Sequence, residues 1–143
     1  MSFKKQIFYV FLVAFIFAAA LRVFVIEGLI VKGDSMAPAI LSGDYVFINK
    51  LAYIFKEPSR GDIVVAIPRG ESFKVIKRIA VLPGESFSDD FNLSRLDPEE
   101  YFVLGDNSRV SIDSRELGFI DSWDIKGRTF LIFRLRSFRF ISL

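Results

Sequence analysis

The spacing of hydrophobic and polar positions changes once along this chain, close to residue 27. From Gln6 to Ile26 the sequence QIFYVFLVAFIFAAALRVFVI is apolar on every side, and Arg22 is its only charge. As a helix, this stretch would be roughly 31 Å long, which matches the roughly 30 Å hydrocarbon layer of a bilayer. The pattern predicts one membrane-spanning helix, with the stem of Arg22 long enough to carry its charge to the headgroups. A cleaved signal peptide is the rival reading, with Lys4 and Lys5 as its basic region, residues 7–17 as its apolar region and Ala18-Ala19-Ala20 at the cut. The apolar run continues through Val23–Ile26, past that cut, and this favours the anchor. A buried helix of a soluble core fits poorly, because a helix apolar all round is hard to enclose in so short a chain.

After Glu27-Gly28 the pattern breaks into short segments rich in Val, Ile, Phe and Tyr: 29–32, 45–49, 62–67, 73–82, 101–104 and 129–135. Turn residues separate them, as in Gly33-Asp34, Ser42-Gly43-Asp44, Pro68-Arg69-Gly70 and Pro83-Gly84. Short strands with regular punctuation predict a mainly β domain, a compact antiparallel sheet or partly open barrel behind one N-terminal transmembrane helix. Leu51–Lys56 is the one segment with a possible helical turn. Residues 86–100 are the most polar part and read as a solvated surface loop. The predicted organisation is a short cytoplasmic tail at 1–5, the anchor at 6–26 and an extracytoplasmic domain at 27–143.

Charge supports this polarity. The 19 basic and 17 acidic residues give a net charge of +2. Residues 1–26 hold Lys4, Lys5 and Arg22, and residues 126–143 hold five basic residues, with no acid in either stretch. The middle therefore sets eleven basic residues against all 17 acids, a net charge of −6. Such a domain is a poor partner for nucleic acid, whereas basic ends suit a membrane surface. Lys4 and Lys5 favour an inside amino terminus, with residues 27–143 on the outer face.

The 143 residues include no histidine and no cysteine. That excludes Ser-His-Asp and Cys-His catalysis, disulfides, and zinc sites built on either residue. A hydrolase of this composition needs a carboxylate, an amine or a bound water as its base. Lys77 is a candidate. In FKVIKRIAVL (73–82), period-two alternation places Lys77 with Phe73, Val75, Ile79 and Val81, while Lys74 and Arg78 share the opposite face. If the apolar face is the core side, desolvation lowers the lysine pKa and leaves a neutral amine able to act as a base. A solvated face or an ordinary ion pair is the structural alternative.

Ser35, in GDSMAP, follows the first outer strand, beside Gly33 with its wide backbone range and Pro38, expected to hold its neighbours extended. It reads either as a turn serine or as an exposed nucleophile. In GDNSRVSIDSRELG, an extended backbone would place Ser111, Asp113 and Arg115 on one side. They could brace a turn or support an active-site amine. Asp106 with Asp113 lacks the spacing of a calcium loop, and neither metal nor cofactor is expected.

Taken together, these segments resemble the type I signal peptidase family. GDSMAPAILSGDYVFINK is similar to its serine box, RGDIVVAIP to its intervening strand, KRIAVLPGE to its lysine box and YFVLGDNSRVSIDSRELGFI to its last box. The resemblance implies a membrane-bound endopeptidase that removes signal peptides from secreted preproteins after small residues, in an Ala-x-Ala pattern. Ser35 would be the nucleophile and Lys77 the general base. Ser111 would orient Lys77, with Asp113 and Arg115 bracing that wall. The Ser35 N–H and Gly33 would lie at the oxyanion site, and Met36 and Pro38 would contact membrane or substrate.

Three departures stand out. Gly33 occupies a position where some relatives carry a serine, Val81 one where glycine is common, and only Ser86–Leu96 fills the place of a larger hairpin or accessory domain. A dedicated-substrate Ser/Lys protease and a non-catalytic, membrane-tethered peptide-binding module are the alternatives. At the carboxy terminus, FRLRSFRFISL reads as an amphipathic last strand, with Arg134, Arg136, Arg139, Phe138 and Phe140 as candidate lipid contacts.

Overall fold

The computed structural model describes residues 3–89 and 92–143, and for residues 21–24, 87–89 and 92–94 it describes the backbone alone. The expected snorkelling of Arg22 and the loop position of Asp90 lie outside the described residues.

The amino-terminal helix α1 runs Phe3–Phe24. The window Phe3–Ala20 has a mean hydropathy of 1.7 and no buried residue, so the helix is long and apolar enough to cross a membrane. It ends earlier than Ile26, because Ile26 already belongs to strand β1 (Ile26–Ile30). Pairing decides that boundary: β1 lies antiparallel to β2 (Tyr45–Asn49), with Ile26 opposite Asn49 and Ile30 opposite Tyr45. The β-branched Ile26 is better accommodated in that ladder than in another helical turn.

The remaining strands are β3 (Ile63–Ala66), β4 (Val75–Val81), β5 (Ser86–Asp89), β6 (Asn92–Arg95), β7 (Glu100–Leu104), β8 (Ile120–Asp121), β9 (Ile125–Arg134) and β10 (Arg139–Ser142). The main sheet has the order β1-β2-β9-β3-β4-β7-β8, with β10 also paired to β9 and every pair antiparallel. This is the expected mainly β, partly open architecture. Strand β9 is its axis. One edge pairs with β2, and the other pairs first with β3 and then with β10.

Alternation along β2 buries Val46 and Ile48 and leaves Tyr45, Phe47 and Asn49 half-buried, whereas β3 is buried at all four positions. Two apolar clusters result. One joins Val31, Met36, Ile40, Val46, Ile63 and Ile132. The other joins Val64, Ala66, Ile79, Tyr101, Val103 and Ile120.

Several local expectations change. Residues 86–95, expected as a loop, form the separate β5–β6 hairpin, in which Ser86 pairs with Arg95 and Asp89 with Asn92. Backbone pairing needs no apolar side chain, so a polar composition conceals it. Leu51–Lys56 is a run of turns closed by Ile54 N–H to Leu51 O rather than helix. A short helix instead follows Asp113: α2 (Ser114–Leu117), capped by the Asp113 side chain. The carboxy-terminal segment, expected as one amphipathic strand, is broken by the turn between β9 and β10, where Phe138 has φ 50°.

Candidate active site

Residues 33–39 form successive bends and turns, so the neighbours of Pro38, expected to be extended, belong to the same irregular segment as Ser35. The Met36 side chain, 1% exposed, plugs the first apolar cluster. That burial excludes the expected membrane contact by Met36 and turns it into the peg that fixes the neighbouring Ser35. Pro38, after a cis Ala37–Pro38 bond, is exposed. Asn107 N–H holds Ser35 O at 2.9 Å, and the Ser35 N–H makes no hydrogen bond among the described residues. The Gly33 N–H is not free in this way, since it donates to Ser42 Oγ at 3.3 Å. Gly33, expected at the oxyanion site, therefore offers neither a side-chain hydroxyl nor an unengaged N–H there. Its φ of +85° explains the glycine, because a side chain there would be strained even though the space is open.

Lys77 lies in the middle of β4, opposite Val64 of β3, and is only 4% exposed. Its Nζ lies 2.9 Å from Ser35 Oγ, a contact across 42 positions of sequence. Burial lowers the lysine pKa. The Asp113 carboxylate opposes that change and the Arg115 guanidinium adds to it, so the balance is downward. Charging this amine in an apolar strand is costly, so the neutral form gains weight at physiological pH.

The wall beside Lys77 is built on Asp113, which is fully buried. Its Oδ2 accepts from the Ser111 hydroxyl (2.6 Å), Gly105 N–H (2.9 Å) and Arg115 Nη2 (2.8 Å), and its Oδ1 accepts from Arg115 Nε (2.8 Å). Burial alone would raise this carboxyl. The Arg115 pair and the Gly105 and Ser111 hydrogen bonds overcome it and hold the pKa at about 2. The expected extended face of Ser111, Asp113 and Arg115 is replaced by a helix cap, yet the three still meet through the carboxylate. Ser111 gives its hydroxyl to Asp113, rather than serving as the direct orienter of Lys77.

Gly105, which the sequence marks only as a turn, matters through space. A Cβ there would stand 2.1 Å from Ser111 Oγ and 2.6 Å from Ser35 O. Only glycine lets the Ser111 wall close against the serine segment. Asp106 and Asp113 do not form a carboxylate pair, because Arg78 takes Asp106 in a two-point bond (2.8 and 2.7 Å). Among the described residues no cluster suited to a metal exists. Arg134, expected at lipid, instead pairs with buried Asp44 at 2.9 Å.

A groove of about 700 Å³ opens over this site, lined by residues 29–36 and 73–77 with Asn107, Val110 and Ile112. Serine oxygen and buried amine meet on its floor, beside an unengaged backbone N–H. Such an arrangement is chemically able to deliver a hydroxyl to a carbonyl without imidazole, as a serine hydrolase of open β architecture would require.

Comparison with known proteins narrows the class. Residues 4–89 and 86–134 match the family model described as signal peptidase, peptidase S26. The probable signal peptidase I-1 of Synechocystis is 31% identical, over 98% of this chain and 91% of the relative. Signal peptidase I S of Bacillus subtilis is 30% identical, over 85% and 84%. A crystal structure of a signal peptidase I from Enterococcus faecalis aligns with a TM-score of 0.44 at 25% identity, over 51% of this chain and 97% of the other. The chain belongs to the signal peptidase family, peptidase S26, a family of membrane-associated enzymes that remove signal peptides.

Proposed function

We propose that this signal peptidase works through Ser35 as nucleophile and Lys77 as general base, cutting exported preproteins after small residues of the Ala-x-Ala type. The 2.9 Å contact between Lys77 Nζ and Ser35 Oγ carries the reading, together with the burial that favours the neutral amine. In the first step Ser35 Oγ attacks the scissile carbonyl while its proton passes to Lys77 Nζ. The oxyanion faces the Ser35 N–H, a type of donor whose removal costs about 3 kcal/mol of transition-state stabilisation. Lys77 then returns the proton to the departing amine, leaving an acyl ester on Ser35. A water gives its proton to Lys77 and its oxygen to the carbonyl, and as the ester bond breaks Lys77 passes that proton to Ser35 Oγ, which restores both groups. Ser111, Asp113 and Arg115 position this wall without touching the reacting atoms.

Strand β1 pairs with β2 on one edge, and its other edge borders the groove. A preprotein segment adds there as an extended strand, with alternate side chains toward the floor. The first turn of α1, with Lys4 and Lys5, lies at the cytoplasmic surface, the rest of α1 spans the bilayer, and the sheet domain lies on the extracytoplasmic face. Cleavage of an Ala-x-Ala preprotein by the detergent-solubilised chain, lost in both Ser35→Ala and Lys77→Ala, tests the mechanism. Equal cleavage by all three proteins would overturn it.

A further inference from the structure

The turn at residues 50–56, KLAYIFK, sits where the anchor meets the sheet. Val25 is the single residue between α1 and β1, and its carbonyl accepts the Lys50 N–H at 2.9 Å. Wherever the helix leaves its bilayer, and at whatever tilt, this turn begins within one hydrogen bond of that point. It exposes three large apolar side chains, Leu51, Ile54 and Phe55, and Phe55 is 98% exposed.

These side chains are held outward by a braced backbone. Leu51 N–H donates to Asn49 Oδ1 at 2.9 Å. Tyr53 turns inward, packs on the second apolar cluster and donates its hydroxyl to Asp62 Oδ2 at 3.0 Å. Ser59 N–H holds the same oxygen at 3.1 Å. An apolar tip fixed in this way does not fold back to hide from water. It has no internal role in the core, and it carries Lys50 and Lys56 at its ends with no acid between them. Apolar side chains bracketed by lysines beside a helix exit match the layered chemistry of a lipid interface, acyl chains below and anionic headgroups above.

We propose that the turn 50–56 inserts Leu51, Ile54 and Phe55 into the leaflet from which α1 emerges. The proposal rests on the reading of α1 as a membrane span. Helix and turn together give two attachment points, which remove free swinging about Val25 and hold the groove at a fixed height over the lipid.

The absence of cysteine makes a direct test simple. Three full-length variants, Phe55→Cys, Glu99→Cys and Phe11→Cys, carry one environment-sensitive fluorophore each. All three are reconstituted into phosphatidylcholine–phosphatidylglycerol vesicles with or without bromine on the acyl chains. The expected result is loss of most fluorescence to brominated lipid at positions 55 and 11, and none at position 99, which lies among Asp97 and Glu100. A label at 55 that remains as unquenched as the label at 99 overturns the proposal. Quenching at 11 alongside that result confines the failure to the turn and leaves a protein partner as its occupant. Absence of quenching at 11 as well removes the membrane-span reading along with the proposal.

Discussion

Replacing Asp113 by asparagine removes one buried charge and turns one oxygen into an amide nitrogen. Either orientation of the new side chain sets its NH₂ against donors: Arg115 Nε on one side, or Gly105 N–H, Ser111 Oγ and Arg115 Nη2 on the other. Breaking one member of a buried, hydrogen-bonded ion pair costs about 3 kcal/mol, equivalent to a melting-temperature fall of roughly 10 °C in a domain of this size. The loss has a characteristic pH signature. The folded carboxyl titrates at about 2 against a usual value of 3.8. Its contribution is therefore complete above the usual value and disappears as pH falls through the folded one. A tenfold difference in proton affinity between folded and unfolded chains is worth about 1.36 kcal/mol, so between pH 5 and pH 2 the wild type loses about 2 kcal/mol that Asp113→Asn does not have to lose. Denaturant unfolding of both proteins in detergent at the two pH values measures this difference. Removing the carboxylate also removes the one upward influence on Lys77, so the acid limb of kcat/KM moves to lower pH in the variant. Parallel stability losses in the two proteins from pH 5 to pH 2, or a limb that moves upward, would refute the reasoning.

The wild-type acid limb itself is expected below the usual lysine value of 10.5, because burial lowers the Lys77 pKa more than Asp113 raises it. A limb at the usual value, measured with a soluble peptide substrate, contradicts the buried base. Lys77→Met keeps the side-chain length without the desolvated amine. It is expected to abolish cleavage while leaving the unfolding free energy unchanged or higher by roughly 1 kcal/mol, and a clear fall in stability would count against burial as the source of the lowered pKa. Gly105→Ala forces a Cβ against Ser111 and the Ser35 carbonyl, where overpacking costs about 1–3 kcal/mol. Both melting temperature and kcat/KM fall together, and a variant with normal activity would show that the wall does not fix the serine.

The features most legible in the sequence are those with a strong local period. Strand β2 is expected at 45–49 and found there, because a short run of aromatic and β-branched residues sits between a Gly-Asp turn and a lysine. The setting of Lys77 is legible for the same reason, one charge on an apolar face. Features made by contacts through space are not. Nothing local shows that Gly105 must admit Ser111 and Ser35 together, or that Met36 turns inward beside an outward serine. Asp113 is visible as part of a polar cluster, but not as a helix cap, since capping depends on where the preceding loop delivers the carboxylate. The β5–β6 hairpin is hidden because its ladder is made by backbone groups. The end of α1 falls earlier than the apolar run because Ile26 has a strand partner 23 residues ahead in Asn49.

The position of β9 has a consequence in time. In the sheet, β1 and β2 flank the Ser35 segment, while β3 and β4 carry Lys77, and β9 lies between those two hairpins. Yet β9 is made of residues 125–134, and is translated after every one of those strands. Until it arrives, each hairpin lacks its central neighbour, and the proposed nucleophile and base have no common frame. A nascent chain halted before Ile125 should therefore be inert, so that Ser35 and Lys77 acquire a shared scaffold only after the strand joining their two hairpins has been made.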